Sequence, residues 1–397
     1  MKALRNYLDK IKPNFEEGGK LAMFRSVFDG FETFLFTPNT TSKSGVHIHD
    51  SIDSKRTMTV VIIALIPALL FGMYNVGYQH NLAIGADPGF LSTFIFGFLA
   101  VLPKIIVSYV VGLGIEFAVA QVKKEEIQEG FLVSGILIPM IVPIDTPLWM
   151  IAVATAFAVV FAKEVFGGTG YNVFNVALVT RAFLFFAYPA AMSGEKVFVR
   201  TSETFGLGSG NVVDAFSGAT PLGQIATATT NNTTVTDVLG NPLSYMDMFI
   251  GLIPGSIGET SKLAILIGAV ILLITGIASW KTMISVFIGG GITAALFNLA
   301  GTTAAMSLGP VEHILLGGFA FGAVFMATDP VTSARTEKGK YIYGFLVGFM
   351  AVVIRVLNPG YPEGMMLAIL LMNVFAPLID YYVVDANIRK RLKRAIK

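Results

Sequence analysis

Three groups of residues in this 397-residue chain have types and spacing suited to chemistry. The first is Asp214-Ala-Phe-Ser217-Gly218-Ala219-Thr220, in a stretch rich in Thr, Ser and Gly. Small neighbours leave the Thr220 hydroxyl uncluttered, and a carboxylate stands six positions upstream, so an enzyme can reach it for covalent modification. A flexible linker with many threonines is the plainer account of the same stretch. The second group is acidic residues in apolar surroundings: Glu116, Asp329 and Asp380. A carboxylate is a hard oxygen donor suited to a small cation. At the centre of a membrane span it costs about 2–3 kcal/mol on insertion scales, so its presence needs a reason. Cation handling is one reason; an interfacial position or a pairing with an interior Arg such as Arg181 is another. Asp329 has a further alternative, the capping of a broken helix. The third group is Asn172 and Asn175, just after Gly167-Gly168-Thr169-Gly170, where the amides either contact a polar ligand or cap a Gly-rich helix start.

Other signals carry less. Gly206-Leu-Gly-Ser-Gly210 lacks the strand and helix that a dinucleotide fingerprint needs, so an NADH site is expected on another chain. His47-Ile-His49-Asp50 has no second pair of metal ligands and reads as a surface turn. The sequons Asn231-Asn-Thr233 and Asn232-Thr-Thr234 are what a short Asn/Thr run produces. The chain has no cysteine, which excludes disulfides, thiolate nucleophiles and a Cys-ligated iron–sulfur cluster within it. Any electron handling would need flavin, quinone or a metal held by other groups.

The elements that must position these residues are membrane spans. Apolar residues make up 54% and charged residues 14%, against about 25% charged in ordinary globular proteins. Mean hydropathy is +0.70. Thr57 to Ala86 contains no Lys, Arg, Asp or Glu, and such runs are read as spans. Ten spans are expected, at 57–79, 101–122, 130–144, 147–163, 172–192, 263–280, 283–301, 312–328, 341–356 and 364–383. The third and eighth are short, and the third contains Pro139 and Pro143. Ahead of them, residues 1–56 read as an amphipathic arm: Leu4, Tyr7, Leu8 and Ile11 recur at helical spacing, as do Leu21, Phe24, Phe28 and Phe31. The faces suit the membrane surface or a partner protein equally. The first residues are charged throughout and lack the apolar core of a cleavable signal.

Charge sets the expected orientation. Of 28 Lys and Arg, 22 fall in the arm, the tail and the loops of one side, and only Lys196, Arg200 and Lys262 opposite. The positive-inside rule then puts both termini in the cytoplasm, and an even number of spans follows. Five spans precede the polar segment 193–262 and five follow, so the halves 57–192 and 263–383 have opposite orientation, as in inverted-repeat transporters. The basic tail is 384–397. Asp145-Thr146-Pro147 and Thr328-Asp329-Pro330 close the third span of each half, a short echo of the repeat. A net charge of +2 gives no general attraction to nucleic acid.

Asp-x-x-Ser-Gly-Ala-Thr resembles the motif at which flavin transferase attaches FMN to a threonine through a phosphoester. Around it, Lys163-Glu-Val-Phe-Gly-Gly-Thr-Gly170, Arg181-Ala-Phe-Leu-Phe-Phe-Ala-Tyr-Pro189, Ile253-Pro-Gly-Ser-Ile-Gly-Glu259, Met326-Ala-Thr-Asp-Pro330 and Asn358-Pro-Gly-Tyr-Pro-Glu-Gly-Met-Met366 fall in order. Together they resemble the B-subunit family of Na+-translocating NADH:quinone oxidoreductases, from the arm to the basic tail. The related RnfD protein of the Rnf complex shares the motif but normally lacks the long arm. It also usually differs where this chain reads Pro362-Glu-Gly-Met-Met366.

The resemblance implies covalent FMN on Thr220, with Asp214, Ser217, Gly218 and Ala219 in the recognition motif. It implies riboflavin near Asn172 and Asn175, although the family usually has Pro where this chain has Val176. It implies Na+ uptake through Glu116 and Asp380, with Asp329 a further candidate, and ubiquinone near Gly112 and Gly114. Helix packing explains those two glycines equally well. The implied whole is an all-α integral membrane protein of about ten helices in two inverted five-helix repeats, resembling ammonium and urea channels. It would sit in a bacterial inner membrane within a multi-subunit complex, passing electrons from FMN to riboflavin to ubiquinone and exporting Na+. A small-solute channel or secondary transporter without redox role is the rival from another class, and an Rnf-type subunit the nearer one.

Overall fold

Hydropathy sets where this chain becomes helical, and proline and glycine set where the helices stop. The computed structural model describes residues 2–16, 18–36, 44–45, 54–123, 130–193, 197–214, 216–228 and 234–395. His47, His49, Asp50, Asn231 and Asn232 lie outside them. Among the described residues the regular elements are helices; two isolated bridges, Thr204 with Leu207 and Thr236 with Pro242, are the extended pairings.

The N-terminal arm folds on itself. Helix α1 (Lys2–Ile11) and helix α2 (Arg25–Leu35) bring Leu8 and Phe28 into burial. Phe15 stacks on Phe28 at 4.7 Å. The buried Glu32 carboxylate is held by Arg5 at 3.1 Å and Lys12 at 2.8 Å. The expected second helical face begins later than the spacing suggests: Leu21 lies in a turn and Phe24 ends a 3-10 turn before α2.

Helices α3 (Ser54–Ile84) and α4 (Phe90–Lys123) follow, then α5 (Phe131–Ile141) and α6 (Leu148–Ala158). A π turn, Val159–Lys163, and a 3-10 turn extend α6 to Phe166. Next come α7 (Val176–Ala187) and the single turn α8 (Pro189–Met192). The polar segment carries α9 (Pro221–Thr227) and α10 (Tyr245–Ile250). The second half has α11 (Lys262–Ile274), α12 (Trp280–Ala300), the short α13 (Ala304–Ser307), α14 (Pro310–Leu315) and α15 (Phe319–Phe321). A π turn, Gly322–Met326, continues α15, and α16 (Glu337–Leu357) and α17 (Met365–Ala395) close the chain.

Six of these helices are long and apolar enough to cross a membrane: α3, α4, α6 with its extension, α12, α16 and α17. The other four expected spans are shorter or broken. Helices α5, α7 and α11 have 11, 12 and 13 residues, about 16–20 Å at 1.5 Å per residue against an apolar core of about 30 Å. The apolar run continues past Ile141, but the helix does not, because Pro143 cannot supply the next backbone donor. Expected span 312–328 breaks at Leu316–Gly318, where Gly317 takes a φ of +61°. Non-helical backbone at such depth is tolerated where protein or a cavity surrounds it.

Small residues let the long helices approach. A Cβ on Gly97 of α4 would overlap the Met73 carbonyl of α3, and one on Gly348 of α16 would overlap the Val286 carbonyl of α12. One continuous apolar core runs through both halves, from Ala64 and Leu65 to Met372 and Ala376. Asp145 and Asp329, the echoed acids, lie apart: Asp145 meets Arg200 at 3.6 Å, and Asp329 meets Asn175 at 3.1 Å.

Candidate functional site: two cavities at the ends of α7

Helix α7 begins in one cavity and ends in another. At its start, Asn175 is the N-cap: its Oδ1 accepts from Leu178 N at 3.2 Å, and its Nδ2 donates to Asp329 Oδ2 at 3.1 Å. Asp329 also accepts from Val331 N at 2.9 Å and the Thr332 hydroxyl at 3.1 Å, so it does cap the chain after the broken helix. Asn172 accepts from Gly170 N at 3.2 Å and donates to Phe174 O at 3.0 Å. Asn172, Asn175 and Asp329 line one cleft of about 90 Å³, together with Thr57, Gly130, Lys163 and Thr169. Asp329, expected on a cation path, thus shares one place with the two amides expected at a ligand site.

Both π turns deliver residues here. One ends at Lys163, the other leads into Thr328 and Asp329, and all three line the cleft. Such turns shift side-chain register within a helix and recur at functional sites. Lys163 pairs with Glu116, both nearly inaccessible, so the partner of Glu116 is Lys163 rather than Arg181. One turn away, Gly112 lies against the ring of Phe131, and an added Cβ would overlap it. Gly114 faces the other way into open space, so the structure separates these two glycines. Asp380 is elsewhere again, accepting from Arg335 N at 2.7 Å, Thr336 N at 3.0 Å and the Thr336 hydroxyl at 2.6 Å. It braces the N-terminus of α16.

At the far end of α7, Thr220 is the N-cap of α9, its Oγ1 accepting from Gly223 N at 3.1 Å. Pro221 occupies the first helical position, where its missing N–H costs nothing. Ser217 N donates to Val238 O at 3.1 Å; Gly218 and Ala219 are buried, and Asp214 is exposed. The brace of this loop is Gln224, which the sequence did not single out. Its Nε2 donates to Thr236 O at 2.9 Å and Ala219 O at 3.3 Å, and its Oε1 accepts from Thr236 N at 2.9 Å. An amide in an N-terminal turn facing a Thr-rich loop was the available signal. Nearby, Ser244 and Asp247 form the capping box of α10. The Ser244 hydroxyl and then its backbone N–H hold the Asp247 carboxyl below the usual carboxylate range.

Thr220 borders a cavity of about 300 Å³ whose walls include Arg181, Phe185, Phe198, Tyr361 and Glu363. Phe185 and Tyr361 meet edge to face at 4.5 Å. A smaller cavity on its other side adds Glu259 and Lys262. Under both lies a network of charges. Arg181 Nη1 donates to Glu259 at 2.7 Å and to Ile141 O at 2.5 Å, and Arg181 Nη2 pairs with Glu363. The Arg181 and Glu259 side chains are each 3% exposed. Lys262 donates to the carbonyls of Glu259 at 2.7 Å, Thr260 at 3.1 Å and Gly317 at 3.3 Å. Arg355 donates to the carbonyls of His313 at 2.5 Å and Glu363 at 3.2 Å. The sequence pointed to Arg181 as a possible partner of a buried acid, but not to these acids.

A match to the model of the NQR2, RnfD, RnfE family covers residues 41–389. The Na(+)-translocating NADH-quinone reductase B subunit of Chromohalobacter salexigens is 44% identical over 98% of this chain and 96% of its own length. The B subunit of the same reductase from Klebsiella pneumoniae is 45% identical over 98% of this chain and 99% of its own. That of Ectopseudomonas mendocina is 44% identical over 99% of this chain and all of its own.

Proposed function

The chain belongs to the NQR2, RnfD, RnfE family, and from that premise we propose that it is a membrane subunit of a Na+-translocating NADH:quinone oxidoreductase. In this reading it carries electrons through flavin toward ubiquinone and couples their flow to Na+ export, while NADH binds another subunit. A flavin transferase would recognise Asp214, Ser217, Gly218 and Ala219 and join FMN to Thr220 through a phosphoester. The observation that carries the reading is the half-buried Thr220 hydroxyl at the edge of a cavity of about 300 Å³. The residues around it fit the group: Phe185 and Tyr361 offer aromatic walls to a planar ring, and Arg181 offers positive charge. Arg181 Nε is buried without an acceptor among the described residues. A flavin there supplies the redox chemistry, and the chain's own residues position it.

Riboflavin is assigned to the cleft of Asn172, Asn175 and Asp329, whose amides and carboxylate suit the polar edge of an uncharged ring. The cleft's free space, about 90 Å³, is less than a tricyclic ring fills, so binding has to widen it. Glu116, Asp329 and Asp380 are assigned to a Na+ path, with Lys163 displaced wherever a cation takes the Glu116 carboxylate. Ubiquinone is placed near Gly112 and the exposed Gly114. The architecture proposed is ten segments in two inverted halves, 57–192 and 263–383, as in ammonium and urea channels. The segment 193–262 then faces the outside of a bacterial inner membrane; the arm 1–56, the tail 384–397 and both termini face the cytoplasm.

The family description also names Rnf proteins, but the three relatives carry the quinone reductase name over nearly the whole chain. Quinone reduction by the assembled complex separates the two. The first test is in-gel ultraviolet fluorescence of the chain co-expressed with flavin transferase. A fluorescent band absent in Thr220→Val is expected; a dark wild-type band, with transferase activity verified on a known substrate, overturns the reading and revives the channel.

A further inference from the structure

The charges beneath Thr220 do not cancel. With every group ionised, Arg181, Lys262 and Arg355 face two carboxylates, Glu259 and Glu363. Backbone carbonyls take most of the remaining donors: Ile141 for Arg181; Glu259, Thr260 and Gly317 for Lys262; His313, Leu316 and Glu363 for Arg355. Among the described residues the excess cation is therefore held by dipoles rather than by a counter-ion. Of the five groups, Arg181 and Glu363 alone line the larger cavity beside Thr220.

From this arrangement we infer that the Arg181–Glu363 pair sets the reduction potential of a flavin tethered at Thr220. The inference rests on the proposed attachment at Thr220. An electron accepted without a proton adds one negative charge to the ring. A cation fixed in the wall favours that charge, an adjacent carboxylate opposes it, and a buried setting with little water magnifies both. Neither residue touches the reacting atoms in any contact described above; both act by position and charge. Their opposite signs make the two effects separable, which a purely structural brace would not do.

The test is a redox titration of the full-length chain, co-expressed with flavin transferase, following flavin absorbance. The Thr220→Val chain titrated in parallel gives the background from non-covalent flavin. Glu363→Gln should raise the midpoint potential by the equivalent of about a tenfold change in the reduced-to-oxidised ratio, 59 mV for a one-electron couple. Arg181→Gln should lower it by a similar amount, and Arg181→Lys, which keeps the charge, should stay closer to wild type. Arg181→Gln leaves the buried Glu259 and the half-buried Glu363 short of a partner and can fail to insert, in which case Glu363→Gln decides alone. Covalent flavin at wild-type level in Glu363→Gln, with an unmoved or lowered midpoint, overturns the inference and leaves the attachment reading intact. A wild-type chain without covalent flavin overturns the attachment reading itself, and this inference with it.

Discussion

The two cavities along α7 differ in the charge they carry. At the Asn175 end the polar part of a largely apolar lining is amides, hydroxyls and one carboxylate, and the cation present, Lys163, is already paired with Glu116. At the Thr220 end three buried cations meet two carboxylates beneath a larger, aromatic-walled cavity. The first arrangement offers hydrogen bonds to a neutral ligand; the second favours an anion. In the proposed reading that contrast corresponds to riboflavin, which has no phosphate, and FMN, which does. One helix of 12 residues thus joins two cavities that differ in charge.

The sharpest way to break this contrast is to free Lys163 or strand its partner. Lys163→Met leaves Glu116 buried without its ammonium, a change expected to cost about 3–5 kcal/mol. Thermal unfolding of the detergent-solubilised chain should show a large fall in Tm, mostly recovered in the double variant Lys163→Met/Glu116→Gln. Failure of the double variant to recover would mean that Lys163 serves the cleft directly.

A smaller effect tests whether the ends are independent. Asn175→Ala removes the α7 N-cap and a hydrogen bond to Asp329, at about 1 kcal/mol for the cap. Acid-extractable flavin should drop, while the covalent fluorescent band keeps its wild-type intensity. Loss of both flavins together would show one coupled site instead of two.

The smallest effect on the two cavities is expected from a carboxylate in neither. Asp380→Asn weakens the three hydrogen bonds that Asp380 receives from Arg335 and Thr336, each worth about 1.5–3 kcal/mol at most when charged. Partial retention by the amide oxygen should limit the loss to a modest fall in Tm, with both flavin contents unchanged. A change in either flavin would tie the α16 terminus to a cavity.

Much of the fold was legible along the chain, because hydropathy and helix stops act over a few residues. Spans such as 57–79 and 341–356 lie inside α3 and α16, and the break in 312–328 falls beside Gly317 and Gly318. The shortness of α7 was harder to see. The expected segment 172–192 begins in a turn held by Asn172 and ends in a separate turn at Pro189, and an apolar composition hides both. In the site, Thr220 and its loop stood out because the motif is contiguous. Gln224 did not, since its role depends on Thr236 arriving opposite it.

Alone, the sequence determined an all-helical membrane chain, the order of its apolar segments, an uncluttered Thr220 hydroxyl and that an acid such as Glu116 had to find a partner. Each follows from neighbouring residues and the cost of placing charge in a bilayer. Only the tertiary structure decided which partners such groups found. Glu116 met Lys163 across 47 positions, Asn175 met Asp329 across 154, and Arg181 met Glu259 and Glu363 across 78 and 182. A buried charge must be paired, but any of several distant groups would satisfy it. The choice is made by whichever helices pack closely enough to bring one within reach.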